Sequence, residues 1–213
     1  PLSDDLTEKI GNINGVETAF NRYLESVTIE FNDRQVLAIA ASVPEGGQRN
    51  IFEGMVNLKT EEGRLLKDGD SKKVLLGNNF KDDGTFGKGV KAGDKILIKG
   101  ISFEAAGILE KKGSFIFDNN ILMNEQAIID VLGAKKNEVD IVAVKVLDLN
   151  RIDEVQENIE KLLRKERNVD KGEEDFQVQS PQQIVAALNS TLFAVTLFVY
   201  IIAGISIVVG GIG

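Results

Sequence analysis

The 25 basic and 33 acidic side chains of this 213-residue chain all lie at or before Asp175, so residues 176–213 carry no charge. Within that stretch, residues 192–213 read LFAVTLFVYIIAGISIVVGGIG, and thirteen of these 22 are Leu, Ile, Val or Phe. As a helix they extend about 33 Å at ~1.5 Å per residue, enough to cross a hydrocarbon core about 30 Å thick. Each such side chain favours insertion by roughly 0.3–0.6 kcal/mol at the helix centre, on the order of 4–8 kcal/mol together. A buried core helix is the competing reading, but such helices seldom run so far without a charge. The segment is expected to span a membrane, and its place after the polar part, with no leader ahead, sets it apart from a cleaved signal peptide.

Ser180-Pro181-Gln182-Gln183 marks where that helix starts. Ser180 at the N-cap, Pro181 at the first helical position and Gln183 two residues on form a capping box that satisfies free backbone N–H groups. No proline follows, so residues 181–213 are expected to form one stalk and membrane helix about 50 Å long. Gly204, Gly210 and Gly211 are candidate points of close helix packing, with Gly204 and Gly211 on one face, and Tyr200 is a candidate helix–helix contact. Asn189-Ser190-Thr191 has the letters of a glycosylation site, yet at the membrane's edge it reads as a polar belt.

The polar part excludes several kinds of chemistry. With no His and no Cys there is no Ser-His-Asp triad, no thiol nucleophile, no imidazole or thiolate metal site and no disulfide. A net charge of −8 lacks the basic footprint of nucleic-acid binding. Gly87-Lys88-Gly89 with Gly93 matches neither phosphate-binding glycine pattern and precedes a strand, so it reads as a turn. Asp82-Asp83 and Glu173-Glu174-Asp175 lack the ligand ladder of a calcium loop and read as solvated acidic loops. No catalytic, cofactor or metal residue is singled out.

Periodicity divides the polar part three ways. Ser3 precedes a short helix with Leu6, Ile10 and Ile13 on one face, ending by Asn14-Gly15. Two extended runs, one from Val16 to Phe31 and one carrying Val36, Leu37, Ile39 and Ala41, with Asn32-Asp33 between them, read as a β-hairpin. Residues 51–135 are Gly-rich, with short strands at 73–76, 95–99, 102–109 and 114–117 and a helix at 125–132 capped by Gly133. From 137 the pattern reverts. A strand apolar on both faces reads as central, Asn150 caps a helix with Ile152, Val155, Ile159, Leu162 and Leu163 in a stripe, and a strand is expected at 175–179. The expectation is an α+β chain in which both ends (1–50 and 136–180) build one α/β module around the inserted β-rich part 51–135, followed by the helix 181–213.

With these segments placed, the chain resembles the permease subunits of ABC transporters of the FtsX-like type that carry a MacB-type periplasmic core domain. The resemblance rests on Gly63-Arg64-Leu65-Leu66 followed by Asp70, on Val74-Leu75-Leu76-Gly77, and on Gly93-Asp94-Lys95-Ile96-Leu97-Ile98. It continues through Phe103-Glu104-Ala105-Ala106-Gly107-Ile108-Leu109 and the closing ISIVVGGIG, similar to the start of the family's second membrane helix. It implies that the ends form a porter-like subdomain and that Gly63, Arg64, Gly77, Gly93, Asp94 and Gly107 determine the fold. It further implies that the sequence belongs to a longer permease with more membrane helices. That permease would pair with a second copy and a cytoplasmic ABC ATPase. Residues 1–180 would lie outside the cell membrane, where an extracytoplasmic adaptor or substrate is a candidate partner. No cofactor is implied.

The function expected on this basis is transmission of an ATP-driven conformational change to something outside the membrane, without catalysis in this chain. The alternatives are a membrane-tethered ligand-binding or receptor module, and a membrane-anchored hydrolase using carboxylates or a Ser-Lys pair. A separate expectation is that the chain self-associates in water through residues 192–213, because about twenty exposed apolar residues do not stay unpaired there.

Overall fold

The computed structural model describes residues 2–136 and 138–180, and ten residues further on: 182–184, 186, 190, 191, 193, 195, 196 and 198. The chain divides into two units, Pro1–Asn12 with Val16–Leu147 and Ile13–Gly15 with Asp148–Gly213.

The hairpin is the seed of the first unit. β2 (Leu24–Phe31) and β3 (Arg34–Val43) pair in full register from Leu24↔Ala41 to Phe31↔Arg34. Asn32 and Asp33, both left-handed at φ 50° and 57°, form the two-residue turn whose twist suits such a ribbon. Around it run β4 (Thr60–Gly63), β5 (Lys73–Leu76), β6 (Lys95–Ile98), β7 (Ile101–Leu109) and β8 (Ile121–Asn124). Pairing passes from β7 through β5, β8, β3 and β2 to β6 and back to β7, which closes a six-stranded ring, and β4 lies against the end of β7. Closure removes most of the sheet edges that would otherwise recruit foreign strands, although the ladder of β8 with β3 begins only at Ala40.

Alternation fills the ring. Ala38 and Ala40 of β3, Val27 and Ile29 of β2, Val74, Ile96 and Phe103 belong to one buried cluster. A second cluster gathers Phe20, Val43, Leu75, Leu109 and Leu122 around Phe52 of α2 (Gly47–Met55), with Phe20 and Phe52 edge to face at 6.0 Å. Each large apolar side chain so buried contributes roughly 1.5–3 kcal/mol. Two more strands, β1 (Val16–Arg22) and β9 (Ile141–Val146), form a separate antiparallel pair, and α1 (Asp4–Gly11) precedes them.

In the second unit, α3 (Ile152–Arg167) buries Val155, Ile159 and Leu163 at helical spacing. The segment after it is stitched back by side chains: Arg164 to Glu174 at 2.9 Å, Arg167 to Asp175 at 2.7 Å, and Gln156 Nε2 donating to the Val178 carbonyl oxygen at 2.9 Å.

The structure departs from the sequence-based expectations at definite places. Residues 114–117 are no strand, because Asp118 accepts the N–H groups of Lys112 and Ser114 and winds Phe115–Asp118 into a helical turn. Residues 175–179 form no strand, their bonds going to side chains of α3. β9 is not central: its one partner among the described residues is β1, and it is half-buried to exposed. Asn150 does not cap α3. It lies in a short 3-10 turn, its N–H taken by Asp148, and Arg151 is the N-cap. The hairpin 24–43 is bonded to β6 and β8. The segment 192–213, expected to span a membrane, lies outside the described residues except at 193, 195, 196 and 198. No helix among the described residues is long and apolar enough to cross a membrane.

Candidate functional site

β7 is where most of the motif residues meet. Its first half pairs with β6, its second half with β4 on the same edge, and β5 runs along the other edge. A strand that changes neighbours midway needs room at the handover, and two glycines supply it. Gly63 and Gly107 face each other across the β4–β7 ladder. Gly63 has φ +75°, and a Cβ there would sit 2.3 Å from the Ala106 carbonyl oxygen; one on Gly107 would sit 2.8 Å from those of Glu62 and Arg64. Only glycine permits this approach.

The neighbouring motif residues complete the knot. Arg64 N–H donates to the Ala106 carbonyl oxygen at 3.0 Å, Gly93 N–H to that of Ala105 at 2.8 Å, and Ala105 N–H to that of Asp94 at 2.8 Å. Asp94 Oδ2 accepts the Lys91 N–H at 2.9 Å and holds the turn. The Arg64 guanidinium forks onto Asp70 at 2.7 and 3.2 Å and also donates to the Leu65 carbonyl oxygen. Burial works to raise the Asp70 carboxyl, but the Arg64 fork and the Lys67 N–H hold it below the usual carboxylate range. Gly77 stands apart from this knot. Its N–H donates to the Asn120 carbonyl oxygen at 2.9 Å, and a Cβ would lie 2.4 Å from that of Phe117.

At the other end of the polar part, Ser180 N–H donates to Gln183 Oε1 at 2.7 Å and Gln183 N–H to Ser180 Oγ at 3.3 Å, a reciprocal capping box. Pro181, Gly204, Gly210 and Gly211 lie outside the described residues.

Sequence reading passed over a second polar cluster. Arg22, at the end of β1, stacks its guanidinium 4.4 Å from the Phe52 ring centroid, and its buried Nε has no hydrogen-bond partner. Burial brings it down to about 10, opposed by the charge of Glu125. Burial likewise raises the Glu125 carboxyl, helped by Glu45 and Asp4, and pushes the Tyr23 phenol up to about 12. The one signal in the sequence is a basic residue shortly after the apolar pair Ala19-Phe20. Arg49 is the opposite case, a buried guanidinium fully engaged by Asp68 and Asn124, each at 2.8 Å, and by the Leu66 carbonyl oxygen. Among the described residues, no three acidic side chains converge as metal ligands would. The motif glycines act through their backbone, while Arg64 and Asp94 spend their side chains on Asp70 and on the Lys91 N–H.

Comparison with known proteins gives this arrangement its relatives. The profile of the MacB-like periplasmic core domain matches residues 1–162, three quarters of the chain and every motif residue from Gly63 to Gly107. The chain belongs to that family. Among curated proteins, an ABC transporter permease of Methanocaldococcus jannaschii is 31% identical over 96% of this chain and 49% of its own length. A pyoverdine export ATP-binding/permease protein of Pseudomonas entomophila is 28% identical over 79% of this chain and 26% of its own. A macrolide export ATP-binding/permease protein of Bdellovibrio bacteriovorus is 32% identical over 60% and 20%. This MacB-like chain thus spans about half the length of the first of these and about a quarter or less of the others. Two solved structures share the fold. The periplasmic region of MacB from Actinobacillus actinomycetemcomitans has a TM-score of 0.63 at 15% identity, covering 89% of this chain and 83% of that one. The extracellular domain of the transporter YknZ from Gram-positive bacteria has a TM-score of 0.61 at 14% identity, covering 80% and 86%. The mixed α+β architecture of this MacB-like domain is the one those domains have.

Proposed function

We propose that this chain is the extracytoplasmic domain of an ABC export-type permease and passes an ATP-driven conformational change to a substrate or partner outside the membrane. The observation that carries this reading is the family match over residues 1–162, continued at 31% identity along almost the whole chain in a permease. On this reading residues 1–180 lie outside the cell membrane and the uncharged residues beyond the Ser180–Gln183 cap lead into it. The permease works as a pair of copies, and a separate ATPase subunit supplies hydrolysis, so this chain is not itself an enzyme. An extracytoplasmic adaptor is a further candidate partner. The porter-like part is drawn from both chain ends, with the hairpin of β2 and β3 counted to the β-rich part. Gly63, Arg64, Gly77, Gly93, Asp94 and Gly107 act as fold determinants, while Gly204, Gly210 and Gly211 pack the membrane helix.

The test uses the whole permease with its ATPase. This chain has no Cys, so once any cysteines elsewhere in the permease and its ATPase are replaced, one cysteine placed at exposed Lys171 carries a spin label at a single position in each copy. The label-to-label distance is expected to differ between the nucleotide-free and ATP-bound states. Identical distances in both states, while ATP is being hydrolysed, would sink the reading.

A further inference from the structure

Two hydrogen bonds reveal which backbone groups of β3 face which way. Ser42 N–H donates to the Tyr23 carbonyl oxygen at 2.9 Å, so the even-numbered residues of β3 turn their N–H and C=O toward β2. Ile39 N–H points the opposite way and donates to Asn120 Oδ1 at 2.8 Å. Since these directions alternate along a strand, Gln35 and Leu37 also present their backbone N–H and C=O on the side away from β2. β8 does not reach them, because its ladder with β3 begins at Ala40↔Ile121.

In place of a strand, that side of β3 borders an open groove of about 480 Å³. Val36, Leu37 and Ile39 line one wall and Asn79, Phe80 and Thr85 the other, and none of its ten lining residues is charged. Leu37 is 84% exposed and Ile39 41%; Ile116, whose carbonyl oxygen accepts from Asn120, is 54% exposed. Proteins ordinarily blunt an unpaired edge with lysine, proline or a covering loop. Residues 35–39 read QVLAI and carry neither lysine nor proline.

The geometry points to a strand-addition site: the groove takes an extended, uncharged peptide segment of a partner protein, hydrogen-bonded to the backbone of Gln35 and Leu37. Complementarity of charge selects the occupant. In a chain that is 27% charged, a lining without charge leaves a Lys or Glu side chain seated there desolvated and without a counter-ion. The unpaired N–H and C=O groups call for a polypeptide backbone, which an apolar small molecule does not offer. Main-chain bonds then supply affinity, and the apolar side chains of Leu37 and Ile39 read every second residue of the guest.

The probe is the blocked pentapeptide acetyl-Thr-Val-Thr-Val-Thr-amide, titrated into the isotope-labelled full chain in lipid nanodiscs. Saturable shifts are expected at the amides of Gln35, Leu37 and Ile39. Leu37→Pro removes an N–H that faces away from β2 and should weaken binding by roughly tenfold. Leu37→Lys keeps that N–H and the strand but charges the groove, so it should also weaken binding, which covers the case in which the proline variant misfolds. A peptide N-methylated at alternate residues should bind correspondingly less. Equal binding of the methylated peptide would overturn the proposal in favour of a pocket for side chains alone. Loss of the same amide signals on raising protein concentration without peptide would assign the edge to a second copy, and no shift at millimolar peptide would remove the site.

Discussion

The knot around β7 and the helix α3 are both held tightly, but by opposite means. At β7 the specifying residues are those with no side chain: Gly63 and Gly107 sit where a single Cβ would strike a carbonyl oxygen at 2.3 or 2.8 Å. In α3 the specification lies in side chains that are present, with Val155, Ile159 and Leu163 buried on one stripe and charged residues elsewhere. The first region tolerates no addition and the second no removal. A fold built from both has two distinct ways of failing.

The sharpest way to break this contrast is Gly63→Ala. Left-handed strain of about 1–3 kcal/mol adds to overpacking of similar size, so a loss of about 4 kcal/mol in urea denaturation is expected. A loss under about 1 kcal/mol would mean the strands do not approach as described. Ile159→Ala tests the other side and should cost about 3 kcal/mol as transfer and cavity terms combine. The paired variant Ile159→Val, expected at about 1 kcal/mol, sharpens that point. Equal losses for the two variants would show that the stripe does not depend on how much side chain is removed.

Arg64→Leu should have a smaller effect, about 1 kcal/mol at neutral pH, because the guanidinium is 39% exposed and its attraction to Asp70 is screened. Its signature is pH dependence. Asp70 is held below its ordinary value when folded, so its contribution is present above the unfolded carboxylate pKa near 3.8 and lost as pH falls through the folded one. The variant's melting temperature should converge on the parent's in that acid range, and a gap that stays constant with pH would show the fork to be packing alone. Glu125→Gln should shift stability the other way. Burial raises this carboxyl, so the ionised form destabilises the fold as pH climbs past the ordinary carboxylate range. The variant should melt slightly higher than the parent at pH 7 and equal to it in acid. The smallest effect is expected for Lys161→Ala, which removes an exposed pair with Glu157 at 2.7 Å and should leave the melting temperature unchanged.

The same contrast accounts for what the sequence discloses. A periodic stripe can be read directly, so α3 emerges from Ile152, Val155, Ile159 and Leu163, and the hairpin turn from Asn32-Asp33. The capping partners Ser180 and Gln183 are legible for the same reason, since three-residue spacing is itself the signal. The neighbours of β7 are not. β4 reads TEEG and β8 reads ILMN, four residues each, too short to show a period, and their pairing is fixed by chain far away in sequence. Residues 114–117, SFIF, have strand composition, but Asp118 outcompetes a ladder by taking two backbone N–H groups. β9 alternates apolar residues on both faces, which suits a central strand, yet its burial pattern shows none fully covered. The groove beside Leu37 stays hidden because exposure of an apolar residue depends on where β8 begins, a matter of register and not of residue type.

A ring of strands has no loose end from which to peel. Freeing one strand of β7-β5-β8-β3-β2-β6 means breaking ladders on both its flanks, so the six strands are expected to open together in one step.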